Sequence, residues 1–483
     1  MKKAVKFILL ACFVVGIFSA CGAQTAEEFN SDFMTNEGGA VDLGGMKIKY
    51  TVALDSTNGV ATQENVLGYP YNTNFSDLAL QRIRDVETQY NMTLEMNHDD
   101  SFADKFKMAS AAATALTDAL LSPSLNFFSW AKAGFLVGIS TLSDYIDYTD
   151  SDKWGSPNIL ESAFYKDDLY GLTPAAWPEQ NYTSFGYPLV ANVDMILSTG
   201  AGDPREFVEN KQWTWDQFHH EIEICTIQEG GETKQYGMVT SYPYMAQMII
   251  LSNGVHFLDI DANGEPYCGY YTDAGRRAIE EVINLWRGDY KYTISPKEGY
   301  LSEVVTENFV NGDGVYAFLP THFIFGVYGE VAMKLDNFAI LPTPTGPDVD
   351  PGYVASCYHT MSYNISFSAM SDNVEAAAIV LNAIYEPLPG YETREEIKDY
   401  MMRNYFFDTR DADAFFDLFE NCTYNYDYTT NFESRRIPEY ICTTNKTGTQ
   451  VLEEQESVIA NIMEEYIKPT IEAYEYLFPD FVR

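Results

Sequence analysis

Apolar and polar positions alternate where the folded part of the chain begins. In residues 46–56, MKIKYTVALDS, one face of an extended segment carries four apolar side chains, Ile48, Tyr50, Val52 and Leu54. This pattern predicts a strand that ends in a loop at Asp55. Apolar positions in residues 77–96 recur at helical spacing and predict a helix followed by a short extended run, and the alanine-rich residues 105–121 favour another helix. The alternation predicts an α/β fold with a mostly parallel sheet.

A different pattern marks the N-terminus. Three lysines precede an apolar run over residues 7–18, which is too short to span a bilayer but suits a secretion signal. Ser19, Ala20 and Cys21 then complete Phe-Ser-Ala-Cys, which resembles the lipobox of bacterial lipoproteins. We expect a signal peptide over residues 1–20 and lipidation of Cys21; a plain secreted protein is the alternative. Polar, glycine-rich residues 21–45 then predict a flexible tether.

Length and charge limit the classes of protein that fit. A chain of 483 residues is too long for one core and predicts two or three domains. The formal net charge of −40 becomes about −43 without the three lysines of the signal, so phosphate backbones and anionic headgroups would be repelled. We therefore expect no nucleic-acid partner. No second apolar run approaches membrane-spanning length, so the lipid would be the anchor.

The cysteines and histidines give no sign of a metal or disulfide framework. After Cys12 and Cys21, five widely spaced cysteines remain, at positions 225, 268, 357, 422 and 442. Cys422 and Cys442 could pair, but buried free thiols fit as well. The sequence has no CxxC motif or Cys/His cluster, and we expect neither a metal nor another cofactor.

One acidic loop imitates a calcium site. Asp259, Asp261, Asn263 and Gly264 reproduce the opening of an EF-hand loop, but Tyr270 stands where its bidentate glutamate belongs. An Asn-Gly turn joining two strands is the alternative interpretation.

Two further segments have a clear local interpretation. Thr214 is a predicted helix N-cap, because helically spaced apolar residues follow it, and Trp213 and Trp215 beside it are then packing residues. Residues 341–352, LPTPTGPDVDPG, contain four prolines and two glycines, which suits a stiff crossover between domains.

The composition favours binding over catalysis. The chain lacks GxSxG, HExxH and GxxxxGK[ST], and we expect no enzyme activity. Aromatic residues make up 15% of the chain, and aromatic rings stack on the apolar faces of sugars while carboxylates and amides bind the hydroxyls. A saccharide ligand would fit this composition, although most of the rings must belong to the core.

Several blocks together resemble one family. The blocks are AKAGFLVGISTLSDYI, KDDLYGLTP, YPLVANVDMIL, WTWDQF, ENFVNGDGVYAFLP, FAILPTPTGPD and DNVEAAAIVLNAIY. Their order, over about residues 46 to 400, resembles the extracellular solute-binding proteins of ABC importers, in the carbohydrate-binding, maltose-binding-protein-like group. The part after Asn404 is similar only in being helical and acidic.

The resemblance implies a two-lobed periplasmic-binding-protein-like fold with hinge crossovers and a ligand cleft between the lobes. Lobe 1 would comprise residues 46–172 plus 346–404, and lobe 2 residues 173–345 plus 405–483. The expected partners are a saccharide ligand and ABC permease subunits in the membrane, with the protein itself a lipid-anchored monomer at the extracellular face of the cytoplasmic membrane.

Site residues are carried over from the same resemblance. Lobe 1 would contribute Asp55, Ser122 and Ser124 from loops after strands, and the return crossing Tyr358 and His359. The first crossing would contribute Trp177 and Glu179, in a proline-flanked stretch that we expect to be exposed. Lobe 2 would contribute Tyr242, Tyr244, His322 and Phe323, with Phe325 nearby. Relatives often have a tryptophan where His322 and Phe323 stand, so stacking there would fall to phenylalanine.

Other function classes remain open at this point. A lipid-anchored glycoside hydrolase would also have an aromatic cleft, but flanked by two catalytic carboxylates. A binding protein for a non-sugar solute such as a peptide would share the fold. A surface adhesin would show internal repeats, and the sequence has no such period.

Overall fold

The structure is a computed structural model, and it describes residues 34–35, 41–52, 65–70, 72–99, 101–179, 186–288, 293–294, 302–325, 329–357, 363–427 and 436–479. Its α-helices are α1 Asn74–Gln89, α2 Phe102–Ala111, α3 Ser124–Lys132, α4 Ser151–Trp154, α5 Pro157–Leu160, α6 Val193–Ser198, α7 Pro204–Glu209, α8 Trp215–Ile224, α9 Tyr242–Leu251, α10 Asp273–Ile283, α11 Ser302–Val310, α12 Glu330–Lys334, α13 Val374–Ile384, α14 Arg394–Tyr405, α15 Thr409–Glu420, α16 Ile437–Thr443, α17 Gly448–Ile462 and α18 Lys468–Leu477.

Its strands are β1 Met34–Thr35, β2 Val41–Asp42, β3 Met46–Val52, β4 Asn65–Val66, β5 Tyr69–Pro70, β6 Met92–His98, β7 Ala119–Pro123, β8 Phe164–Tyr165, β9 Asp168–Leu169, β10 Leu189–Asn192, β11 Ile227–Glu229, β12 Glu232–Thr240, β13 Asp259–Ile260, β14 Pro266–Tyr267, β15 Thr293–Ile294, β16 Gly314–Phe318, β17 Phe338–Leu341, β18 Ser356–Cys357, β19 Tyr363–Phe367 and β20 Cys422–Thr423. Among the described residues, no helix has the length and apolar composition needed to cross a membrane.

The first sheet has the strand order β19-β7-β3-β6. β3 is parallel to β6 and β7, and β19 is antiparallel to β7, with Tyr363 opposite Pro123. The predicted strand is confirmed over β3, and Leu54 lies outside the described residues. The first predicted helix is confirmed as α1, where Thr73 accepts a hydrogen bond from the backbone of Ser76 in a capping box.

The alanine-rich segment is less helical than its composition predicts. α2 ends at Ala111, and the chain passes through turns before β7 begins at Ala119. Residues 111–116 are all exposed, so no apolar face is buried there to stabilise a longer helix.

The second sheet follows the order β11-β12-β16-β10-β17, and β15 also pairs with β12. Alternate residues of its strands belong to two different cores: Leu189, Ala191, Met238, Ala339 and Leu341 to one, and Val190, Val239, Phe338 and Ile340 to the other. Because side chains alternate across a strand, these two cores occupy opposite faces of the sheet. A further core surrounds the first sheet.

Two chain segments connect the sheets. Leu172 and Ile365 exchange backbone hydrogen bonds of 2.9 and 2.8 Å, and the backbone N–H of Gly186 donates to the carbonyl oxygen of Cys357. These two passages of the chain between the bodies of the molecule, one body around each sheet, therefore pair at their described ends in antiparallel order. This arrangement confirms the α/β, two-lobed fold with hinge crossovers.

The predicted crossover over residues 341–352 is wrong. Thr345 donates its backbone N–H to the carbonyl of Trp213, and Gly346 donates to that of Ser252, so this stretch stays on the second body. These hydrogen bonds hold the stretch against α8 and the end of α9. The chain crosses afterwards, between Cys357, in the core of the second sheet, and Ile365, in the core around the first.

The C-terminal helices pack against both bodies. α17 contributes Val451 and Leu452 to the second core, whereas Tyr474 and Leu477 of α18 belong to the core around the first sheet. A π-helical turn, Met463–Ile467, joins the two helices at the change of partner.

Smaller sequence predictions have mixed outcomes. Thr214 caps α8 by accepting from the backbone of Gln217, and Trp213 and Trp215 are buried, as predicted. The Asn-Gly turn joins β13 to β14, and its Asp261 carboxylate accepts backbone hydrogen bonds from Asn263 and Glu265. The five cysteines after Cys21 are buried and free, so the structure does not contain the Cys422–Cys442 pair.

Candidate functional site

The carboxyl end of the first sheet carries the lobe 1 candidates. β3, β6 and β7 end together there, and β19 begins beside the end of β7. Ser122 is completely buried in β7, opposite Asn364 of β19, so its side chain is not accessible at this edge. Ser124 begins α3 at the edge itself. Asp55, Tyr358 and His359 lie outside the described residues.

The corresponding edge of the second sheet carries the lobe 2 candidates. β12 and β16 are parallel and end side by side, and antiparallel β10 begins opposite Phe318 at the end of β16. The residues that follow β12 and β16, and those that precede β10, therefore meet at one edge. The structure brings together four predicted residues, Tyr242, Tyr244, His322 and Phe323, in this way.

The rings at the second edge form two pairs. Tyr244 is half-buried and stacks on Tyr187, with ring centroids 4.2 Å apart and an interplanar angle of 14°. His322 and Phe323 are half-buried in a 3₁₀ turn, with ring centroids 4.3 Å apart. Half-buried rings of this kind present an apolar face with a polar tip or ring nitrogen, which is the chemistry that a sugar ring requires. Tyr242 faces the core instead, edge-on to Trp286 at 5.3 Å.

Sequence reasoning missed Tyr187. It lies two residues before the start of β10, and it is buried under Tyr244. The block YPLVANVDMIL, which begins at Tyr187, was part of the family resemblance. Nothing in it indicated that Tyr187 packs on α9, which begins 55 residues later.

The expected exposure of Trp177 is wrong. Its side chain is completely buried, and its Nε1–H donates to the carbonyl oxygen of Glu386 at 2.9 Å. The rings of Tyr69 and Tyr385 pack on it, with centroids 6.0 and 5.2 Å away. Flanking prolines alone would leave this stretch exposed. Here the β4–β5 hairpin, which carries Tyr69, and Tyr385 at the end of α13 cover Trp177.

Glu179 is engaged by protein groups. Its Oε1 atom accepts hydrogen bonds from the hydroxyls of Tyr400, at 2.7 Å, and Tyr405. Burial, reinforced by the Glu179 carboxylate, raises the pKa of both tyrosines well above the ordinary value. Both hydroxyls therefore remain protonated donors at neutral pH. Sequence reasoning gave no signal for either tyrosine, because both lie beyond the last family block, which ends at Tyr385.

Two surface cavities flank α14. One, of about 370 Å³, is lined by Asn74, Leu78, Pro389, Gly390, Tyr391, Glu396, Asp399 and Arg403. The other, of about 140 Å³, lies between α14 and the crossing residues Ala175 and Ala176. Within the described ranges, no group of three or more His, Cys, Asp or Glu side chains is placed to hold a metal ion.

Comparison with known proteins identifies the fold. No family model matches the chain, and no curated protein matches its sequence. Among solved structures, the ABC substrate-binding protein Lmo0181 of Listeria monocytogenes, in complex with cycloalternan, has a TM-score of 0.57 at 16% identity, covering 87% of this chain and 99% of that one. The sugar-binding protein MalE of Xanthomonas citri gives 0.56 at 12% identity, over 90% and 100%. The GacH receptor of Streptomyces glaucescens, studied with acarbose, gives 0.54 at 13% identity, over 91% and 100%. The chain thus has the two-lobed fold of the substrate-binding proteins of ABC importers.

Proposed function

We propose that this protein is a membrane-tethered substrate-binding protein of an ABC importer, which captures an extracellular saccharide between its lobes and delivers it to a permease. The observation that supports this function most is the agreement of fold, over nearly the whole chain, with proteins whose structures were determined with cycloalternan, acarbose or maltose. Similarity at this level of identity concerns the fold, so the ligand class must also find support in the site.

The ring pairs at the second sheet edge provide that support. Tyr244 on Tyr187, and His322 with Phe323, would stack on the sugar faces, and polar residues from the first edge would bind hydroxyls. We propose Asp55, Ser124, Tyr358 and His359 for that polar side. Trp177, covered by protein rings, and Ser122, buried in the sheet, would not contact the ligand in the conformation described here.

The mechanism follows from two bodies joined by paired crossings. A saccharide that touches both lobes would favour the closed arrangement by its additional affinity for that arrangement, and the closed shape would be the one that the permease accepts. No step requires bond cleavage, so we propose a receptor and not an enzyme.

A thermal-shift screen of the protein from Gly22 onward tests the ligand class. Saccharides, peptides and polyols are compared, and the saccharide samples are afterwards analysed for products by chromatography. We expect one saccharide class to raise the melting temperature, because a ligand at a hundredfold excess over its dissociation constant adds about 2.7 kcal/mol of stability. Stabilisation by peptides alone would contradict the saccharide proposal. Release of smaller sugars would favour the glycoside hydrolase.

Lipid attachment at Cys21 is a separate part of the proposal, because residues 1–33 lie outside the described structure. More than one acyl chain, each methylene contributing about 0.8 kcal/mol, would hold the receptor stably at the membrane. We expect a Cys21→Ala variant to be lost from washed membranes, as measured by fractionation and immunoblotting, with Cys225→Ala as the control. A Cys21→Ala protein that stayed on the membrane would refute the anchor.

A further inference from the structure

Helix α14 touches both bodies of the molecule through aromatic rings. The ring of Tyr400 meets Phe75 of α1, in the core around the first sheet, edge-on at 5.1 Å. Five residues further along, the ring of Tyr405 meets Phe325, in the core on one face of the second sheet, at 5.5 Å. Ile397 and Met401 also belong to that second-sheet core. A change in the angle between the lobes would therefore change the contacts of this helix.

Glu179, in the first crossing segment, is hydrogen-bonded to this helix. Glu179 accepts from both Tyr400 and Tyr405 through a single carboxylate oxygen. Its backbone has a φ of +65°, a left-handed conformation that is strained for a residue with a side chain. Two charge-assisted hydrogen bonds are of the strength needed to hold a strained residue in place.

The neighbouring residues reinforce the tie. The hydroxyl of Tyr69 donates to the carbonyl oxygen of Pro178, and Trp177 is fixed between rings as described above. The crossing is thus held by lobe 1 up to residue 178, and at residue 179 it is held by the helix that also packs on the second sheet.

We infer that Glu179, Tyr400 and Tyr405 are positioning residues for saccharide capture: together they set the path of the first crossing against α14, and with it the fraction of molecules whose lobes stand at the angle that binds ligand. This inference rests on the proposed function. It gives Glu179 a role different from direct ligand contact, because its carboxylate already serves two protein donors. Apparent affinity falls in proportion to the binding-competent fraction, so loosening the tie weakens binding without removing any ligand contact.

The test compares removal of the acceptor with removal of the donors. Glu179→Ala removes the carboxylate, whereas the double variant Tyr400→Phe/Tyr405→Phe keeps it available to any ligand. The triple variant combines them, and Tyr391→Phe is the matched control, since Tyr391 also packs on Phe75 but its hydroxyl is not a partner of Glu179. Saccharide affinity and association rate are measured, together with small-angle scattering of the unliganded proteins.

We expect Glu179→Ala and the double tyrosine variant each to weaken binding about tenfold, mainly through the association rate, and to change the unliganded scattering profile. The triple variant should be no worse than either, because residues acting as one unit are not additive. Tyr391→Phe should resemble the wild type.

A double tyrosine variant with wild-type affinity beside a weakened Glu179→Ala would overturn the inference, because Glu179 would then contact the ligand itself. If the wild type bound no saccharide, the proposed function would fail. Small-angle scattering would still test whether Glu179, Tyr400 and Tyr405 set the path of the first crossing, and profiles identical to wild type in all variants would refute that role.

Discussion

At the scale of single residues, one buried ion pair fastens α15 to the second sheet. Arg205 of α7 donates from Nε and Nη2 to the two carboxylate oxygens of Asp411, at 3.0 and 2.7 Å, and both side chains are almost fully buried. Arg205 also donates to the carbonyl of Phe338, and Asp411 accepts from the backbone of Ile340. These bonds satisfy both charges and attach them to β17.

Removal of this guanidinium should be costly. We expect Arg205→Met to lower the free energy of unfolding by about 3–5 kcal/mol, because it leaves a buried carboxylate without its counter-charge. Arg410→Met is the matched control: Arg410 pairs with Asp203, Asp408 and Glu209 in a more exposed position, where pairs contribute about 0–1 kcal/mol. Urea denaturation measures both. Equal losses would show that burial does not govern the strength of these pairs.

Residue roles were predictable from sequence where they depend on neighbours in the chain. Thr214 caps α8 because the residues just after it make a helix, and that signal is local. The burial of Trp177 depends on Tyr69 and Tyr385, which are distant in sequence, and the partners of Glu179 come from α14. No local pattern contains that information.

At the scale of elements, the C-terminal helices are the unexpected feature. Tyr466, in the π-helical turn, lies edge-on to Phe128 at 5.1 Å, and its hydroxyl accepts a hydrogen bond from Lys132 Nζ at 2.8 Å. Both partners belong to α3, which directly follows β7 of the first sheet. The C-terminal helices thus pass at this turn from α17, which packs in the second core, to contacts with the first body.

Tyr466 should therefore be a stability determinant. We expect Tyr466→Ala to reduce the free energy of unfolding by about 3–5 kcal/mol, the usual cost of truncating a buried aromatic side chain. Tyr476→Ala on α18 should change it by no more than about 0.5 kcal/mol, since that side chain is 82% exposed. Chemical denaturation of the two variants side by side makes the comparison, and a near-neutral Tyr466→Ala would mean that the C-terminal helix contributes little to holding the bodies together.

Elements were predictable where one period dominates. β3 and α1 follow from alternating and helical apolar spacing. The alanine-rich segment misled because helix propensity is weak beside the burial of an apolar face, and α2 stops where its residues are exposed. The crossover prediction failed for a related reason. The prolines in residues 341–352 predict a stiff segment, but hydrogen bonds to Trp213 and Ser252 determine that this segment packs on the second body.

At the scale of the whole molecule, the sequence predicted the two-lobed fold but not how its parts are joined. The strand and helix rhythm and the ordered family blocks led to the right architecture. The predicted boundary at residues 345 and 346 fails with the crossover, because Gly346, Ala355 and Cys357 lie on the second body. The other boundaries of the lobes stay a prediction, and α14 and the C-terminal helices, which pack on both bodies, make any single boundary approximate. Contacts of that kind join residues far apart in sequence, which periodicity does not detect.

The central claim is that a saccharide closes two lobes around itself, and a small-angle scattering titration tests it most directly. The protein from Gly22 onward is titrated with the saccharide that stabilises it in the thermal-shift screen. The account predicts that the radius of gyration falls to a plateau at one saccharide per chain, because a ligand that contacts both lobes selects the closed form. A saccharide that binds without any change in the radius of gyration would contradict capture by closure.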